Sequence, residues 1–128
     1  MSIYSAIKNM LEDVVGVDNH DVTFGMRIQG GDLPAIYFTI EKIETLTIGS
    51  ADILYRADVT IKSVAVNAED AYDLALDVEA QLNTGTYASV VFSGIINNNS
   101  TLDTPESGGG EEQIPATATT LATIIYSL

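Results

Sequence analysis

The sequence predicts a single α+β domain, a mostly antiparallel sheet of about five strands with two helices packed on one face. Three observations predict it. Two segments carry apolar residues at helical spacing. Several long segments alternate apolar and polar residues with a period of two. The helical segments are set apart from runs of strands, instead of alternating with them as parallel α/β folds require. The expected order is α-β-β-β-α-β-β over residues 1–128, which is enough chain for one domain and too little for two ordinary ones.

Residues 2–15 read as the first helix. Ser2 is a suitable N-cap. Ile3, Ile7, Met10, Leu11 and Val14 share one face, and Gly16 stops the helix. Residues 17–21 form a polar turn. Residues 22–29 form a half-buried strand, with Val22, Phe24, Met26 and Ile28 on one side. A second strand over 35–48 carries Ile36, Phe38 and Ile40 on its core face. Its parity flips near Lys42 and Ile43, as a bulge would make it do. A turn at 49–52 leads into a third strand over 53–66, with Ile53, Tyr55, Ala57, Val59 and Ile61 on one face, so the two strands make a long antiparallel hairpin.

Residues 67–83 read as the second helix. Asn67 is its N-cap, and Ala71, Leu74, Ala75, Val78 and Leu82 form its buried stripe. Glu69, Asp70, Asp73, Asp77 and Glu79 take the rest of the arc with no Lys or Arg among them. That makes an acidic surface of one sign, where an ordinary solvated helix mixes both signs. A fourth strand is expected from Tyr87 to Ile96. Residues 97–115 are rich in Asn, Ser, Thr and Gly and read as a long flexible loop. A last strand at 116–128 is apolar on both faces, so it belongs in the middle of the sheet, and its end at Leu128 is expected to be held there.

Composition narrows the function. Five basic residues face eighteen acidic ones, a net charge of −13. Lys8, Arg27, Lys42, Arg56 and Lys62 are scattered along the sequence, so the clustered cations that a duplex-binding surface needs are missing. No cysteine is present, which removes disulfides and thiolate chemistry. The N-terminal segment lacks the pattern of a signal peptide. No apolar stretch approaches the roughly 20 residues that span a bilayer. These features lead to the expectation of a protein made in the cytoplasm, without contact with membrane.

Catalysis needs a constellation of groups. His20 is the single histidine and lies in the turn Asp18-Asn19-His20-Asp21. That turn has neither the ligand spacing of a calcium loop nor the paired histidines of a zinc helix. No serine stands in a nucleophile elbow, and Gly108-Gly109-Gly110 is followed by Glu111-Glu112, not by a phosphate-loop Lys. No catalytic residue, metal or cofactor is expected. Aromatic alternation puts Phe24, Phe38 and Tyr55 on core-facing sides and leaves Tyr37 opposite, where it can anchor an interface.

Several local patterns now converge. A short helix from Ile3 to Val15 leads to Arg27-Ile28. Then come Leu33-Pro34-Ala35-Ile36-Tyr37-Phe38, a strand ending Lys62-Ser63-Val64-Ala65-Val66, and a helix beginning Ala68-Glu69-Asp70-Ala71-Tyr72-Asp73-Leu74-Ala75. In this order of elements the chain resembles the tail-terminator, or tail-completion, proteins of long-tailed bacteriophages and gene-transfer particles. The resemblance covers nearly the whole chain. It implies a non-enzymatic homohexameric ring in the virion, at the head-proximal end of the tail. Such a ring caps the tail tube, stops its polymerisation and joins the tail to the head connector, while DNA passes through its lumen without specific binding.

Within that expectation, Tyr37, Leu54, Arg56, Asn98, Leu102, Glu111 and Glu112 are candidates for the assembly interface. Glu69, Asp70, Asp73 and Asp77 are candidates for an acidic surface at the lumen. The alternatives are a neck or connector adaptor of the same particle and, from a different class, an acidic inhibitor that mimics DNA.

Overall fold

The computed structural model describes residues 3–13, 22–25, 34–47, 53–103 and 116–128. It is an α+β structure built on one six-stranded sheet. The elements are α1 (Ile3–Leu11), β1 (Val22–Phe24), β2 (Ala35–Thr47), β3 (Ile53–Ala65), α2 (Ala68–Gln81), β4 (Gly85–Tyr87), β5 (Val90–Asp103) and β6 (Ala116–Ser127). The strands lie in the order β1-β2-β3-β6-β5-β4. β1 is parallel to β2, and every other neighbouring pair is antiparallel.

The chain does not form a simple meander. β6 returns past β5 to pair with β3, which puts it between two long strands, the central position its apolar character predicts. The bulge also falls where the parity flips: the β2–β3 register shifts between Ile40 and Lys42. Phe38 and Ile43 therefore share a face although one is even-numbered and the other odd.

Both helices cover one face of this sheet. Ile3, Ala6, Ile7, Met10 and Leu11 of α1 and Leu74 and Val78 of α2 form one buried cluster with Ile36, Phe38, Ala57, Val59, Ile61, Phe92, Ile124 and Tyr126. Tyr55 and Tyr126, cross-strand partners, stack at 5.3 Å on the same side. The first half of α2 rests on a seat of small residues. Ala71 and Ala75 meet Ala65, Ala116 and Ala118, and side chains this short let a helix approach the sheet closely.

The N-cap of α2 is reciprocal. Asn67 Oδ1 accepts the Asp70 N–H at 2.9 Å, and Asn67 Nδ2 donates to the Asp70 carboxylate at 3.1 Å.

Four expectations need correction. Among the described residues the sheet has six strands, and the element order is α-β-β-β-α-β-β-β. The expected fourth strand is two, β4 and β5, joined by a two-residue turn in which Ala88 and Ser89 have φ of 48° and 68°. Hairpin turns of this hand favour Asn and Gly, so Ala-Ser carries no turn signal. The expected loop at 97–115 begins later, because β5 pairs with β6 out to Asp103↔Thr117. The backbone pairs with β6 whatever the side chains are, so polar composition did not break the strand. Finally, Phe24 faces the helix side but is 51% exposed, edge-on to Tyr4 at 4.5 Å and to Phe38 at 5.4 Å. It closes the rim of the core. Residues 14–21, with His20, and 104–115, with Glu111 and Glu112, lie outside the described residues.

Candidate assembly surface

Alternation along strands packed on one side leaves a second face, and no described helix covers it. On β3 this face carries Leu54, Arg56, Asp58, Thr60 and Lys62. On β6 it carries Thr117, Thr119, Leu121, Thr123 and Ile125. Tyr37 of β2 stands opposite Lys62, and Leu46 opposite Leu54. Three of the residues expected at an interface, Tyr37, Leu54 and Arg56, therefore share one surface. Tyr37 and Leu54 are half-buried and Arg56 is exposed.

The cations that look scattered in sequence gather here. Lys42, Arg56 and Lys62 all project from this face, because Lys42 pairs with Asp58 in register and the other two are even-numbered on β3. Each has a polar partner. Lys42 forms an ion pair with Glu44, and that bond and charge hold its ammonium pKa above the usual value. Arg56 meets Asp58 at 3.4 Å. Lys62 donates to Thr119 Oγ1 at 2.6 Å, and Thr123 donates to Asp58 at 2.9 Å. Thr119 and Thr123 are buried although they belong to this face. The outcome is a lattice of alternating sign. Glu41, Arg56, Asp58, Thr60, Leu121 and Thr123 line a depression of about 250 Å³ at its centre.

The outer surface of α2 is different. Glu69, Asp70, Asp73 and Asp77 are all exposed, and no basic residue lies in the helix. Glu79 leaves this arc: it accepts a hydrogen bond from Ser100 and so faces β5. Leu102 is likewise separated from the other interface candidates. It pairs with Ala118, a core alanine, so it lies on the helix side of β5. The backbone of Asn98 lies at the second β5 register shift, between Asn97 and Asn99.

Among the described residues no three His, Asp or Glu side chains converge to hold a metal. No described helix is long and apolar enough to cross a membrane. Compared with models of protein families and with curated proteins, the chain matches none.

Sequence reasoning found the acid arc and the face of Tyr37, Leu54 and Arg56, but missed the clustering of cations. The signal was present: Arg56 and Lys62 are both even-numbered on one strand, and the β2 bulge brings Lys42 to the same side.

Proposed function

We propose that the chain is a non-enzymatic structural subunit of the tail-terminator type, which assembles into a ring that caps a phage tail tube and joins it to the head connector. The observation that carries this reading is the uncovered sheet face. It brings together Tyr37, Leu54 and Arg56, an aromatic, an aliphatic and a guanidinium of the kind enriched where proteins dock. The order of elements that resembles the family supports it from a separate direction.

The acidic arc of α2 supplies the second half of the reading. It lies on the other side of the sheet from the uncovered face, so only one of these surfaces can line a channel. The arc is the better lining for DNA in transit. Exposed carboxylates on a helix that carries no cation of its own repel phosphates and give a moving duplex little to bind. The sheet face is then left for protein partners: the tube subunit, the connector, or both.

Solution mass, measured on the chain alone and with cognate tail tubes, tests this reading. A closed ring of six copies, alone or formed at tube ends, is expected. A monomer that ignores tubes in every condition would overturn it.

A further inference from the structure

We infer that copies of this chain join edge to edge, the open side of β5 in one copy pairing with the open side of β2 in the next. The inference deepens the ring reading and rests on it for closure.

Among the described residues the outermost strands cover only short parts of their neighbours. β1 pairs with β2 only at Ile36, Tyr37 and Phe38. Beyond that, residues 39–47 of β2 pair with β3 on one side and with no described strand on the other. At the far side of the sheet β4 covers only Val90, Val91 and Phe92 of β5. Residues 93–103 pair with β6 and with no described strand opposite. Two edges of similar length, whose outward backbone donors and acceptors meet no described strand, are left at opposite ends of one sheet. Such edges pair with other chains unless they are guarded.

Charge is the usual guard, and the open run of β5 carries it only at its last residue, Asp103. No residue from Ser93 to Leu102 is charged, in a chain of net charge −13. Aliphatic side chains stand on the open runs instead: Ile96, 57% exposed, and Leu102, 42% exposed, on β5, and Ile43, 44% exposed, on β2. Tyr72 and Leu76 of α2 are exposed beside β5, on the side of the helix that meets it through Glu79 and Ser100.

The occupant is a second copy because strand direction fits. β2, β3, β6 and β5 alternate in direction across the sheet, so β2 and β5 run oppositely. Rotation about an axis along the strands preserves each direction. It therefore sets β5 antiparallel to the next copy's β2 and continues the pattern across the junction. The contact uses different surfaces on the two copies, the heterologous kind that closes into rings. On the helix side Leu102 comes to the neighbour's Ile43. The uncharged stretch from Ser93 to Leu102 also meets a β2 edge on which Lys42 and Glu44 form an ion pair, which leaves Glu41 as the one uncompensated charge of that run.

The test uses two edge variants of the full chain, Ile43→Lys on β2 and Leu102→Lys on β5, with native mass as the readout. Both sites are exposed, so circular dichroism and thermal midpoints should stay close to wild type. Ile96→Lys serves as a second β5 variant should Leu102→Lys misfold. Wild type is expected to form species larger than a dimer, and each variant alone to lose them. An equimolar mixture of the two variants should then form a dimer, because it retains one intact edge of each kind. Rings that persist in both variants would overturn the edge contact and leave the ring reading standing. Dimers of Ile43→Lys alone would show β5 pairing with itself, which also overturns it. Should wild type alone be monomeric, the same variants are compared at cognate tube ends, and wild type that stays monomeric there too would overturn both.

Discussion

The two faces of the sheet are built from the same strands and have opposite chemistry. Toward the helices, Phe38, Ile61, Phe92 and Ile124 are buried in an apolar layer. On the other face the same strands present Lys42, Arg56, Asp58, Lys62 and the β6 threonines, joined by hydrogen bonds and ion pairs. A period of two writes both surfaces at once. The contrast separates what holds the fold from what is free to serve assembly. Substitutions on the helix side should unfold the protein, and those at the exposed positions of the bare side should leave it folded and alter contacts.

The strongest way to break this contrast is a matched pair of truncations. Phe38→Ala should cost about 3–5 kcal/mol in urea unfolding, because it opens a cavity in a dry layer. Leu121→Ala, on the bare face and 44% exposed, should cost less than about 1 kcal/mol. Equal losses would mean that the bare face is also structural core.

Hydroxyl groups sharpen the contrast at a smaller scale. Thr123 donates to Asp58, whereas Ser63 Oγ, buried on the helix side, has no hydrogen-bond partner among the described residues. Asp58→Ala should therefore cost about 1–2 kcal/mol, while Ser63→Ala should gain about 1 kcal/mol, since it removes a desolvated group that no described residue satisfies. Equilibrium unfolding of both variants reads the two signs.

The edge hairpin gives an effect of similar size. Ala88 and Ser89 hold positive φ, which costs a non-glycine residue roughly 1 kcal/mol or more. Ala88→Asn with Ser89→Gly should raise stability by about 1 kcal/mol in the same assay.

The smallest effect concerns pH. Burial on the helix side, with nearby Tyr55 second, raises the Tyr126 phenol pKa above its ordinary value. The fold thus favours the neutral phenol. The stability that this preference contributes is present below the unfolded phenol pKa and is lost as pH rises through the folded one. Tyr126→Phe should flatten the alkaline fall in thermal midpoint.

Much of this architecture is legible in the residues, for local reasons. Asn67 caps α2 because its side chain reaches its own helix three residues on. The β2 bulge is legible because Ile40 and Ile43 cannot share a face without it. What escapes is set by partners distant in sequence. The three-residue β4 has too few positions to show a period, and its turn lacks Asn-Gly. The polar end of β5 stays a strand because β6 pairs with it. The acid arc is read from helical spacing alone, whereas placing Leu102 on the helix side requires knowing that Ala118 is its partner.

The central claim is that this chain is a ring-forming cap for a tail tube. Electron microscopy of cognate tubes growing in the presence of the protein tests it most directly. The account predicts a six-fold ring at one end of each tube and no further growth from that end. Tubes that elongate from both ends without added density would contradict it.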